Sequence, residues 1–413
     1  MNPAQITPVN QPLTLPNGQI LKNRIAKAAM EEGLGSDHLL PDERLKRLYS
    51  LWSAGGAGLL ITGNVMVDRL AMTGPGGVVL EADTPLAPFR DWAAAARIGG
   101  SKVWMQINHP GRQVYAALGG KALSASAVAV DLGKHSKLFA QPKAMSGAEI
   151  QDVIARFTAT ALQAEKAGFD GVEIHAAHGY LLSQFLSPLT NHRQDQWGGA
   201  LENRARLLLD IVRSVRNAVS AEFAVAVKLN SADFQRGGFD LDDARAVVRL
   251  LNPLGVDLIE ISGGSYEAPA MQGRTADERT LAREAFFLEF AKDIVAVAQM
   301  PVMTTGGITR LATAESVVNA GVAVAGIGSA LAVCPDLVKC WQQNPDFRPD
   351  LRPVGFKDKA IASVAAMALI RRHMRRWAAG RNGGRALNPV VTLLLDQLRS
   401  KGRVRNYRAL TAR

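Results

Sequence analysis

Residues 169–206 read F-D-G-V-E-I-H-A-A-H-G-Y-L-L-S-Q-F-L-S-P-L-T-N-H-R-Q-D-Q-W-G-G-A-L-E-N-R-A-R. The stretch opens as a short buried strand, Gly171 to Ile174, and then stops being apolar. Two histidines three apart, His175 and His178, follow at once, with Tyr180 two further on. A polar, glycine-containing loop comes next, and a helical pattern resumes from Asn203 to Val219. Hydrogen-bonding rings and a phenol just past a strand end are what the carboxyl rim of a parallel sheet presents to a ligand. On spacing alone, H-x-x-H also fits a metal pair or two satisfied loop residues.

Outward from this stretch, strands and helices alternate with a regular beat. Strands are expected at 24–28, 59–62, 103–107, 171–174, 224–229, 258–261, 301–304 and 323–327. The helices between them are expected at 42–54, 86–98, 148–167, 203–219, 241–251, 285–297 and 313–320, with a last one from about Pro335. The third helix shows why. Ser146 lies three residues before Glu149, a capping box that satisfies two orphan backbone N–H groups. Ile150, Val153, Ile154, Phe157, Ala161 and Leu162 then recur at three- and four-residue steps, the stripe of a helix lying on a sheet. Eight such units imply parallel strands with right-handed crossovers, hence an α/β fold of the (β/α)8 TIM-barrel type. An open doubly wound sheet is the alternative, but no G-x-G-x-x-G turn follows the first strand. Gln11 to Lys22 reads as a hairpin plugging one end of the barrel. Ser124 to Ala144 is a long irregular insertion that either caps the rim or lies on the surface.

The chain carries a net charge of +11 over 413 residues, but unevenly. From Leu351 to Arg413 there are 15 Lys and Arg against Asp358 and Asp396, a balance of +13, so the first 350 residues carry −2. The barrel is near neutral and the basicity belongs to a tail, so no nucleic-acid partner is expected. Two regions follow: a barrel at 1–345 and a basic, mostly helical extension at 346–413. Peripheral membrane contact through the tail and homo-oligomerisation stay open; the blander reading of the tail is a solvated helix packed on the barrel. Cys334 and Cys340 are too few for an iron–sulfur cluster or a disulfide framework and fit a reducing compartment. The opening residues show no signal-peptide pattern, so a cytoplasmic location is expected. His38, His135 and His373 are expected at the surface.

The 169–206 stretch resembles the signature of the Old Yellow Enzyme family, the FMN-dependent ene-reductases: E-x-H-x-A-(H/N)-G-Y-L, then (Q/E)-F-x-S-P, G-G and E-N-R. Further segments resemble the same family from Leu15 to about Leu337. The four-cysteine cluster of its larger members is missing, which places the resemblance with the single-domain branch. It implies bound FMN, NAD(P)H as reductant, and a small unsaturated carbonyl compound as substrate. In W-M-Q-I-N-H-P-G-R the family's pyrimidine-edge glutamine falls on Gln106. Lys228 stands where the family usually has an arginine facing the flavin; a lysine keeps the charge but loses the planar fork. The phosphate corner would be built by Gly306 and Gly307 in T-T-G-G-I-T-R, and by Gly328 and Ser329 in G-I-G-S-A-L; the family usually has arginine at the place of Ser329. Ala29 and Met30 match the segment beside the ring, and Gly63 matches the small residue packed by it. Glu31 departs from the threonine, cysteine or histidine common there. His175 and His178 would bind the substrate carbonyl and Tyr180 would protonate the α-carbon. Rival readings are an FMN-dependent amine-type dehydrogenase on the same barrel, and a metal-dependent barrel hydrolase, although no metal is expected.

Overall fold

In a computed structural model, residues 7–272, 284–351 and 354–412 are described. Eight parallel strands close on themselves: β1 (Ile25–Lys27), β2 (Leu59–Ile61), β3 (Lys102–Asn108), β4 (Gly171–Ala176), β5 (Ala224–Asn230), β6 (Leu258–Ser262), β7 (Val302–Thr304) and β8 (Val324–Ile327). Each pairs with the next, and β8 pairs with β1 through Ala325↔Ile25 and Gly326↔Ala26. The expected (β/α)8 barrel is therefore what the chain forms.

Helices α1 (Glu43–Ala54), α2 (Ala87–Arg97) and α3 (Gly147–Lys166) follow the first three strands. After β4 come a short α4 (Leu181–Leu186) and α5 (Leu201–Ala218); α6 (Leu241–Leu251), α7 (Leu288–Val295) and α8 (Leu311–Asn319) follow the next three strands. The capping box of α3 is present, with the Glu149 amide donating to Ser146 Oγ and the Ser146 amide to the Glu149 carboxylate. Helix α7 is shorter than its apolar pattern because Ala285 sits at φ 57°, a left-handed conformation that an α-helix cannot continue through. Helix α4 was not expected; all six of its residues are buried, so no amphipathic stripe marks it.

Two packed layers result. Val103, Met105 and Ile107 of β3 and Val225, Val227 and Leu229 of β5 face the helices in one large cluster. The alternate residues face the barrel axis, where Ala26, Leu59, Trp104, Ala224, Leu258 and Met303 pack on Leu15 and Leu21. Those two leucines belong to the hairpin, whose strands Leu13–Thr14 and Ile20–Leu21 pair antiparallel and plug the amino-terminal end.

Beyond β8, α9 (Ser329–Val333) and α10 (Leu337–Gln343) lead to α11 (Lys359–Ala378) and α12 (Pro389–Thr411). Asn388 caps α12 by accepting from the Val391 amide at 3.1 Å, with Pro389 in its first turn. The two last helices lie on the barrel. Met374 and Ala378 join its outer core, Trp377 Nε1 donates to the Val333 carbonyl at 3.2 Å, and Tyr407 Oη donates to the Arg69 carbonyl at 2.8 Å. His373, expected at the surface, is buried and bonded to the Gly383 carbonyl because the 379–388 turn folds over it. Among the described residues, no helix is long and apolar enough to cross a membrane.

Candidate active site

Read up the axis, the inward positions of four adjacent strands change from apolar to polar: Trp104, Gln106 and Asn108 on β3; Gly171, Glu173 and His175 on β4; Ala226, Lys228 and Asn230 on β5; Leu258, Glu260 and Ser262 on β6. Parallel register sets them side by side, with Glu173 opposite Gln106, His175 opposite Lys228, and Lys228 opposite Glu260. The mouth at the carboxyl ends of these strands is thus lined by groups that need partners.

Gln106 Nε2 donates to Glu173 Oε2 at 2.6 Å, and Lys228 Nζ lies 2.6 Å from Glu260 Oε1. Lys228 is therefore not the lone buried lysine that its apolar strand suggests: Glu260 neutralises it. Burial pulls its pKa down, but Glu260 and Glu173 outweigh this and raise it. Burial and the neighbouring Glu260 push the Glu173 carboxyl far above the usual range. Glu173 Oε1, Glu260 Oε2 and both polar atoms of the Asn108 amide are buried without a protein partner. Each such atom costs about 1–3 kcal/mol unless something bonds it, so this wall is built for a polar occupant. Gln106, Asn108 and Lys228 offer the donors and acceptors that a flavin's pyrimidine edge requires.

His175 Nδ1 accepts the Ala177 N–H at 3.2 Å, which leaves Nε2 as the protonated nitrogen of a neutral ring. His178 sits at φ 61° and Gly179 at φ 72°, so the chain turns sharply over the barrel end. The His178 amide donates to Asn230 Oδ1, and its Nε2 lies 2.8 Å from Ser262 Oγ. Burial drives both imidazoles well below their ordinary pKa, and Lys228 adds to this, so both are neutral. The rings are 5.0 Å apart at a steep angle, and His175 stands 4.9 Å from the ring of Tyr180. Tyr180 Oη is 2.9 Å from Tyr266 Oη. Burial first, then Glu31, raises the Tyr180 pKa, against the pull of the Tyr266 hydroxyl.

Tyr266 was not found from sequence; a tyrosine in a glycine-rich loop carries no periodic signal. Glu173 and Glu260, by contrast, could have been found, since carboxylates at inward positions of otherwise apolar strands are conspicuous. The 124–144 insertion does reach the rim. Phe139 stacks on Tyr115 at 5.0 Å and lies 6.0 Å from Tyr266, and Arg112 ties the Ala129 carbonyl to Glu267.

The opposite wall is formed by β1 and β8. Met30 is half-buried there, its sulfur 3.6 Å from where a Cβ on Gly328 would stand, and Ala29 is also half-buried. Gly306 and Gly307 adopt φ 120° and 71°, and Phe286 packs against both. Arg310, three residues after Gly307, is paired with Glu284 at 2.9 Å. Gly63 is held to the Glu32 carboxylate through its amide at 3.0 Å, and a Cβ there would collide with Glu32 and the Met30 carbonyl. Its smallness is thus accounted for by this packing.

Among the described residues, the one group of three side chains spaced for a metal ion is Cys334, Asp336 and Cys340, at the junction of α9 and α10. Among the described residues, His175 and His178 have no third ligand beside them, and Asp233 is engaged with the Phe239 amide and Asn230.

A sequence model of the NADH:flavin oxidoreductase / NADH oxidase family matches residues 8–346. An NADH-dependent flavin oxidoreductase of Hypocrea jecorina is 36% identical over 359 residues, covering 82% of this chain and 89% of that protein. One from Neonectria sp. is 36% identical over 83% of this chain, but the match spans about half, 48%, of that longer protein. The solved Old Yellow Enzyme homologue of Zymomonas mobilis superposes with a TM-score of 0.71 at 25% identity, covering 83% of this chain and 95% of that one.

Proposed function

Because the chain belongs to the NADH:flavin oxidoreductase / NADH oxidase family, that of the Old Yellow Enzymes, with FMN as cofactor and NAD(P)H as reductant, we propose that it reduces the activated C=C bond of an α,β-unsaturated carbonyl compound. FMN, when bound, supplies hydride transfer. Gln106, Asn108 and Lys228 would hold its ring edge, Ala29 and Met30 would flank it, and the turns at Gly306, Gly307, Gly328 and Ser329 would take its phosphate through backbone N–H groups.

The observation that carries this reading is the neutral His175 ring. Its Nδ1 is fixed by the Ala177 amide, its Nε2–H is free to donate, and the Tyr180 phenol is beside it. A donor on the substrate's carbonyl oxygen withdraws density and makes the β-carbon electrophilic. His178, oriented by Ser262, would supply the second contact. Tyr180 Oη then gives its proton to the α-carbon. The alkene would thus gain one hydride and the Tyr180 proton, and Tyr266 Oη is placed to pass a solvent proton back to Tyr180.

Tyr180→Phe tests this. Stopped-flow measurement should show flavin reduction by NAD(P)H nearly unchanged and alkene reduction slowed about 100- to 10,000-fold, the range of general acid catalysis. Equal losses in both half-reactions would remove Tyr180 from the chemistry.

A further inference from the structure

We propose that Arg371, carried by the C-terminal helix α11, is the counter-charge of Glu31 and so a positioning residue of the active-site rim. The proposal rests on reading this rim as the active site. It assigns the tail a part in that site that the barrel alone cannot fill.

Glu31 follows β1, directly after Ala29 and Met30. Its Oε1 accepts from Thr73 Oγ1 at 3.3 Å, across the loop after β2. The adjacent Glu32 already has its cation: it receives Tyr49 Oη at 2.5 Å and faces Lys27 Nζ at 3.5 Å. No barrel lysine or arginine is paired with Glu31 among the described residues.

The tail supplies one. Helices α11 and α12 are joined by Asp396, whose two oxygens take Arg371 Nη2 at 2.6 Å and Arg375 Nη2 at 2.9 Å. All three side chains are at most 22% exposed. One carboxylate between two guanidinium groups leaves one positive charge unmatched. Arg371 approaches the β1 loop, its Cδ 3.7 Å from where a Cβ on Gly33 would stand, and Arg403 donates to the Gly33 carbonyl. Glu31 lies two residues away. With it ionised, a second carboxylate faces this cluster of guanidinium groups in a poorly hydrated place, where a charge without an opposite one beside it is costly.

The groups facing Glu31 from each packed element are Glu32 of its own loop, Thr73, Arg371 of α11 and Asp396 of α12. Tyr115, Tyr180 and Tyr266 feel its charge from across the mouth. Burial raises the Glu31 pKa, and Arg371 is the strongest influence in the other direction. An ionised Glu31 in turn helps keep the Tyr180 phenol protonated, a donor loaded at every turnover.

The test uses the FMN-loaded protein with Arg371→Met, Arg371→Lys, Glu31→Gln and the double variant Arg371→Met/Glu31→Gln. Infrared pH titration follows the protonated-carboxyl band that Glu31→Gln lacks. Its midpoint should rise by about one pH unit or more in Arg371→Met, the usual effect of losing an opposite charge, and should stay near the parent value in Arg371→Lys. Thermal unfolding should show Arg371→Met less stable than the double variant, because removing the carboxylate rescues the removal of its partner. If Arg371→Met does not fold, the double variant should fold. An unmoved midpoint, or losses in the double variant equal to the sum of the singles, would overturn the proposal. No readout needs turnover, so a failure to reduce alkenes would count against the proposed function and not against this pairing.

Discussion

Lys228 and Glu260, 2.6 Å apart and both buried, set the character of the barrel's upper interior. Glu260 matches the Lys228 cation, and burial together with Glu260 raises the pKa of the neighbouring Glu173. The polar wall therefore carries hydrogen-bonding capacity with little net charge. At the turn proposed for the phosphate stands Ser329. Ser329→Arg should lower the FMN dissociation constant about tenfold, since one hydrogen bond to a charged group contributes roughly 1.5–3 kcal/mol. Fluorescence titration of the apoprotein measures it, and an unchanged constant would place the phosphate away from this turn. His175, His178, Tyr180 and Gln106 were legible because strand ends announce themselves by a loss of apolar residues. Tyr266 and Arg371 were not, because each comes from a distant segment.

At the scale of elements, the hairpin and the site occupy opposite ends of one barrel. Leu21 is fully buried beneath Trp104 and its neighbours. Leu21→Ala should cost about 2–5 kcal/mol by the lost contacts and the cavity left behind, while FMN affinity and half-reaction rates stay near those of the parent. Chemical denaturation together with flavin titration checks both halves of that statement. A matching loss of flavin would mean that the plug also fixes the strand ends of the site. All eight strands were readable as short apolar runs in a regular strand–helix beat, and their register followed once the barrel closed. Helix α4 could not be read, being buried on every side. The Asn388–Pro389 start of α12 was a cap signal in plain view, but a helix that meets α11 through Thr392 and Asp396 and the barrel through Tyr407 has no ordinary apolar stripe.

For the whole molecule, α12 is inverted. It turns polar groups inward and exposes Val390, Val391, Leu394, Leu395 and Leu398. The tail's positive charge is partly drawn inward, where Arg371, Arg375 and Arg403 bond the barrel loops and Asp396. The sequence suggests an extension beside a complete barrel; the packing favours a tail that finishes it. Removing residues 354–413 should therefore give protein of low thermal stability that retains little FMN, since Met374, Trp377 and Ala378 leave the core and Glu31 loses its counter-charge. Flavin content of the purified truncation decides this, and full retention would restore the simpler division at residue 345.

Periodicity and punctuation can be read along the chain. Short apolar runs gave the strands, a capping box and apolar stripes gave helices between them, and eight repeats of that beat gave the barrel. The residues at strand ends gave half the mouth, because those signals are local. Only the tertiary structure decided which charge answers which. Glu260 against Lys228 spans 32 residues, and Arg371 and Glu31 lie at opposite ends of the chain. The pairing of buried charges depends on distance in space and on the water excluded around them, and neither is written in any neighbouring stretch of sequence.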